Sequence, residues 1–187
     1  MRKQSSIAQI AIFFAIMLVL HLLSSVIFNL LPVPIKPTII HIPVIIASII
    51  YGPRIGAILG ALMGIISVVT NTVVLLPTSY LFSPFVENGS INSLMIAMVP
   101  RILIGITPYF VYKWMKTKPG LVLAGAVGSM TNTIFVLGGI FILFSSVYNG
   151  DIRAMLALVL SANSISEMII SALLTVAIVP ALEKLKK

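Results

Sequence analysis

Apolar residues run in long blocks along this chain, separated by short polar or proline-rich stretches. The blocks fall at residues 7–31, 39–51, 54–76, 93–116, 121–147 and 152–182. A transmembrane helix takes about 20 apolar residues, a length every block but the second approaches or exceeds. The second is expected to tilt, to borrow from the loop before it, or to be buried among its neighbours, with Pro43 kinking it. Pro32, Pro34 and Pro37 end the first block and stiffen the loop that carries Lys36. A polar and aromatic loop, residues 77–92, follows the third block. The pattern predicts an all-α integral membrane bundle of six transmembrane helices, in one domain over residues 1–187.

The second and third blocks form the most informative stretch, residues 38–72. A tight turn at Tyr51-Gly52-Pro53-Arg54 joins them, and Gly52, Gly56, Gly60 and Gly64 recur every fourth residue. In water each glycine would weaken a helix by about 1 kcal/mol against alanine. In lipid the same spacing makes a smooth strip on which a neighbouring backbone can approach closely. The third block ends in polar Thr70-Asn71-Thr72, about 24 Å from Arg54 at roughly 1.5 Å of rise per residue. An amide and two hydroxyls at one depth of a packed helix suggest a small-molecule pocket.

Composition agrees with a membrane protein. The chain is 59% hydrophobic and 9% charged, with a mean hydropathy of +1.18, whereas soluble domains carry about 25% charged residues. There is no cysteine, which excludes disulfides and thiolate metal sites. The run after Arg2-Lys3 is too long for a signal-peptide core and is expected to be a first span. The net charge of +8 does not point to nucleic acid, because the basic residues cluster at block ends. Arg2, Lys3, Arg54, Lys113, Lys116, Lys118, Lys184, Lys186 and Lys187 fall on one side, nine in all, against Lys36 and Arg153 on the other. The positive-inside rule then places the protein in the plasma membrane as a multi-pass chain with both termini cytoplasmic.

That topology puts most intramembrane polar groups in the outer half and middle of the bilayer. They are His41, Asn71, Arg101, Thr131, Asn132, Asn163 and Glu167, with His21, Ser24 and Ser25 in the first block. Ionisable groups at such depth usually mark a site or pair internally. Arg101 either pairs with Glu167 or offers its planar fork to an anionic ligand. Asn71, Asn132 and Asn163 either hold helices together or face a ligand. Asn132 has the most room, within Gly128-Ser129-Met130-Thr131-Asn132-Thr133. His41 reads as structural or as part of the pocket, and the loop Tyr80–Phe85 as an interfacial anchor or a lid. Ala8, Ala11 and Ala15 make a small-residue strip on the first block, suited to close helix contact within the chain or with a partner.

Much chemistry is missing. No GxxxxGK[ST] loop exists to bind ATP phosphates, and no HExxH or paired intramembrane carboxylates occur. No catalytic residue, metal or cofactor is expected, and a transporter of this size would need either self-assembly or dedicated partners.

The AxxxA of Ala11–Ala15, Ile42-Pro43 followed by Tyr51-Gly52-Pro53-Arg54-Ile55-Gly56, and Pro100-Arg101-Ile102-Leu103-Ile104-Gly105 carry a family resemblance. The chain resembles the substrate-binding S-components of energy-coupling factor (ECF) vitamin transporters over essentially its whole length. Within that family it is most similar to the pantothenate-specific S-component. The carrying residues are His41–Ile46, Thr78-Ser79, Phe82-Ser83-Pro84-Phe85, Val99–Leu103 and Gly128–Thr133.

The resemblance implies capture of a vitamin, pantothenate favoured, at the outer face. It also implies docking through the first helix, with Ala8, Ala11 and Ala15 toward a transmembrane coupling subunit that is bound to two ATPases, followed by toppling to deliver the substrate. Pantothenate carries a carboxylate, an amide and hydroxyls, so Arg101 would take the carboxylate, and Asn71, Asn132 and Asn163 the rest. The same role for hydroxymethylpyrimidine, folate or riboflavin stays open, although the two larger ligands call for more aromatic surface than Trp114 and scattered Tyr and Phe provide. A small membrane enzyme or a purely structural subunit is the alternative from another class.

Overall fold

In the computed structural model the apolar blocks fold into helices α1 (Arg2–Leu30), α2 (His41–Tyr51), α3 (Pro53–Val73), α4 (Ile91–Ile104), α5 (Thr107–Trp114), α6 (Lys118–Leu143), α7 (Ser145–Tyr148), α8 (Ile152–Val159) and α9 (Ala162–Leu185). The structure describes residues 2–30, 38–148 and 151–185, with side chains over 6–27, 38–147 and 151–185. The proline loop with Lys36, the side chains of Arg2 and Lys3, and Lys186 and Lys187 lie outside that description. No strand occurs among the described residues. Among the described residues, five stretches are long and apolar enough to cross a membrane: Ser6–Ile27, Pro53–Val73, Ile91–Trp114, Lys118–Leu143 and Ile152–Leu185. The protein is an all-α membrane bundle.

The short helix α2 is the core. Every residue from His41 to Ile50 is buried, and α1, α3, α5, α6 and α9 all pack against it. A helix that is apolar all round is stable only when sheathed. At about 1.5 Å per residue its 11 residues cover about half a bilayer, and a sheathed helix has no need to cover more. Pro43 sits in the first turn, where a helix has no internal N–H bond to lose, so it starts the helix instead of kinking it. Gly52 ends α2 at φ 98°, a left-handed conformation that glycine adopts without strain, and Pro53 opens α3.

The glycine strip of α3 faces α4. A Cβ at Gly56 would strike the Gly105 carbonyl, one at Gly60 the carbonyl of Arg101, and one at Gly64 the Met98 sulfur. The same logic seats α6 on α9, where a Cβ at Gly125 would meet the Ser171 carbonyl and Thr175. Close backbone approach is what small residues permit between membrane helices.

Three blocks that read as continuous are broken. The fourth pauses at Gly105–Ile106 before Pro108 enters the first turn of α5. The sixth breaks at Leu160–Ser161, where Ser161 Oγ accepts the N–H of Ser164 at 3.3 Å and caps α9. The fifth ends at Leu143 and continues as the single turn α7.

The loop between α3 and α4 is tied down. Ser83 and Thr72 hydroxyls bond at 2.6 Å, Ser79 Oγ bridges Val74 O and Leu76 N, and Ser93 Oγ donates to Tyr80 O. Leu81 packs with Ile96, Val136 and Ile140, and Tyr80 meets Phe144 edge to face at 5.7 Å.

Candidate functional site

Arg101 lies in α4 with its carbonyl against Gly60, so the glycine notch of α3 sets the depth from which the side chain departs. The side chain is only 9% exposed. Nη1 donates to the Ile96 carbonyl at 2.7 Å, and the Phe82 ring covers the guanidinium at 5.3 Å. Nε is buried with no hydrogen-bond partner among the described residues. A buried donor left unpaired is costly, and such groups in native proteins call for an explanation. Arg101 also stands within electrostatic reach of His41, at the start of α2. His41 Nε2 hydrogen-bonds Ser171 Oγ on α9 at 2.9 Å, while Nδ1 is buried without a partner.

Across α6 from Arg101, a cleft of about 220 Å³ opens between α6, α8 and α9. Asn132 and Thr133 of α6 and Asn163, Ser164 and Glu167 of α9 line it. Asn132 Oδ1 is buried and unpartnered. Glu167 Oε1 accepts the backbone N–H of Thr38 at 2.6 Å. Three of the residues singled out in the sequence, Asn132, Asn163 and Glu167, therefore meet in one place. Their spacing explains it: 163 and 167 are one helical turn apart and share a face.

The other candidates stand apart from that cleft. Thr131 turns away from Asn132, donating to Val127 O at 2.7 Å and meeting Thr107 Oγ1 at 3.1 Å. Asn71 donates to Ser67 O in its own helix at 2.9 Å. Arg101 and Glu167 form no ion pair among the described residues, because α6 packs between α4 and α9. His21 meets Thr70 at 3.1 Å, joining α1 to α3. Ala8, Ala11 and Ala15 are exposed, whereas Phe13 and Met17 of α1 turn inward.

Sequence reasoning passed over Ser161 and Ser164 in the cleft, placed Thr133 only by its depth, and put Phe82 in a loop read as an anchor or a lid without pairing it with Arg101. Ser161 and Ser164, three apart in an apolar run, were a legible capping signal. The loop reading included Phe82, but only the folded loop shows that the ring covers Arg101 on α4.

Larger cavities lie elsewhere. A groove of about 470 Å³ between α1, α2 and α9 is lined almost wholly by apolar residues such as Ile12, Phe13, Ile46 and Ile178. A cleft of about 520 Å³ under the α3–α4 loop has Thr72, Tyr80, Glu87 and Asn88 on its walls.

This is a multi-pass helical membrane bundle that keeps a buried cation on α4 and, across α6 from it, a small polar cleft. The family described as "ECF transporter, substrate-specific component" matches residues 5–179, and the chain belongs to that family. Members are transporter components, not enzymes. The chain is 49% identical over 187 residues to the pantothenic acid transporter PanT of Lactococcus lactis subsp. cremoris (strain MG1363), covering 97% of this chain and 95% of that protein. It is 30% identical over 162 residues to the pantothenate transporter PanT of Leuconostoc mesenteroides subsp. mesenteroides, covering 76% and 73%.

Proposed function

We propose that this chain captures pantothenate from outside the cell as the binding subunit of an ECF importer. The observation that carries the reading is the 49% identity, over nearly the full length of both chains, to a pantothenic acid transporter. The chemistry fits. Arg101 supplies a buried cation with an unsatisfied donor for the carboxylate, and a bidentate fork suits that group. The cleft of Asn132, Asn163 and Glu167 lies across α6 from that cation and offers amide and carboxylate groups of its own. Thr131 and His41 act as second-line groups that hold helices together, while Asn71 bonds within α3.

Transport needs partners. The exposed strip of Ala8, Ala11 and Ala15 docks α1 on a transmembrane coupling subunit, and two ATPases bound to that subunit supply the energy. The nine-to-two division of Lys and Arg puts both termini in the cytoplasm and opens the Asn132 cleft outward.

The test is calorimetry on the purified chain in detergent, with pantothenate, hydroxymethylpyrimidine, folate and riboflavin in parallel. Saturable heat with pantothenate alone is expected. Heat with another vitamin instead would keep the family and overturn the substrate.

A further inference from the structure

Glu167 is the one acidic residue on the wall of the polar cleft, and its carboxylate is already engaged. Its partner, the N–H of Thr38, is 129 residues away and leads into α2. One turn further along α9, Ser171 bonds His41 at 2.9 Å. Helix α9 thus grips the entry of α2 twice, from positions i and i+4 on one face. The grip matters because the first N–H groups of a helix have no partner inside it, and α2 has no side-chain cap at Ile40. Pro43 favours a helix start here, but no side chain of Ile40 caps the first turn.

We propose that Glu167 is a positioning residue for the ligand cleft. One carboxylate both holds the start of α2 on α9 and forms part of the cleft wall. A ligand that hydrogen-bonds Glu167 therefore alters the hold on Thr38, and loosening Thr38 alters the cleft. The clamp stands on the Thr38 and Ser171 bonds alone, while its link to ligand rests on the function proposed above.

The test is hydrogen exchange of the full chain in detergent, read over residues 38–42, with calorimetric binding of pantothenate beside it. Glu167→Ala should speed exchange at Thr38 by roughly tenfold or more, the size that a hydrogen bond to a charged group supports. Glu167→Gln keeps an acceptor oxygen and should restore most of the protection and most of the affinity. Thr38→Pro removes the donor while leaving Glu167 in place, and should weaken pantothenate binding as Glu167→Ala does. The effects of the two should not add, because both remove one bond. Unchanged exchange at Thr38 in Glu167→Ala would overturn the clamp. Equal loss of binding in Glu167→Gln and Glu167→Ala, with Thr38 still protected in the former, would show that contact with ligand and not the hold on Thr38 accounts for the loss, and would overturn the positioning role. Failure of the wild-type chain to bind pantothenate would refute the substrate while the exchange comparison still decides the clamp.

Discussion

Phe82 lays its ring over the guanidinium of Arg101, 5.3 Å from the ring centre to Cζ. The contact joins a loop residue to the buried cation of α4, and it covers the face of a group whose Nε has no hydrogen-bond partner among the described residues. A cation over a ring contributes about 0.5–2 kcal/mol, less than a charged hydrogen-bonded pair removed from water. A carboxylate reaching Arg101 is therefore the stronger partner.

Arg101→Ala and Arg101→Lys should both weaken pantothenate binding by about 30-fold or more, since truncating a buried charged partner costs at least about 2 kcal/mol. Lysine keeps the charge but loses the planar fork. Phe82→Leu should change affinity by less than about tenfold. Calorimetry reads all three, and an Arg101→Ala protein that binds as the wild type does would remove the carboxylate assignment.

Gly60→Ala should lower the melting temperature in detergent. The new Cβ meets the Arg101 carbonyl, a backbone atom that cannot rotate away, and overpacking costs about 1–3 kcal/mol. Gly138→Ala is the matched control, because nothing lies within 4 Å of its Cβ. There the gain in helix propensity should leave stability equal or higher.

Ala15→Phe should leave pantothenate binding intact and reduce uptake by roughly tenfold or more, the loss expected from a bulky group at the centre of a close interface. Ala15 is exposed and lines neither the cleft nor the core. Equal loss of binding and uptake would place the damage inside the chain instead.

Orientation is open to labelling because the chain has no cysteine. Single cysteines at the exposed positions Glu87 and Lys116 lie at opposite ends of the bundle. In intact cells a membrane-impermeant thiol reagent should modify Glu87→Cys and spare Lys116→Cys. The reverse pattern would invert the topology.

Much of this protein was legible in its sequence for one reason: lipid permits few backbone solutions. Every N–H and C=O inside the bilayer must be satisfied, so long apolar blocks become helices. The spacing of Gly56, Gly60 and Gly64 likewise announced a close helix contact before its partner was known. The i, i+4 pair Asn163 and Glu167 could be placed on one face from number alone.

What remained belongs to the packing. Periodicity names a face but not the helix opposite it, so only the fold shows that α3 lies on α4 and that α6 keeps Arg101 from Glu167. Adjacent residues on a helix diverge by about 100°, which is why Asn132 lines the cleft while Thr131 turns to Thr107. Phe82 and Thr38 meet Arg101 and Glu167 across the fold, not along the chain. The sequence by itself determined the membrane class, the helices and the polar groups they carry, because those follow from local chemistry and the bilayer. Tertiary structure decided which polar groups meet, because that depends on how the helices are arranged around α2.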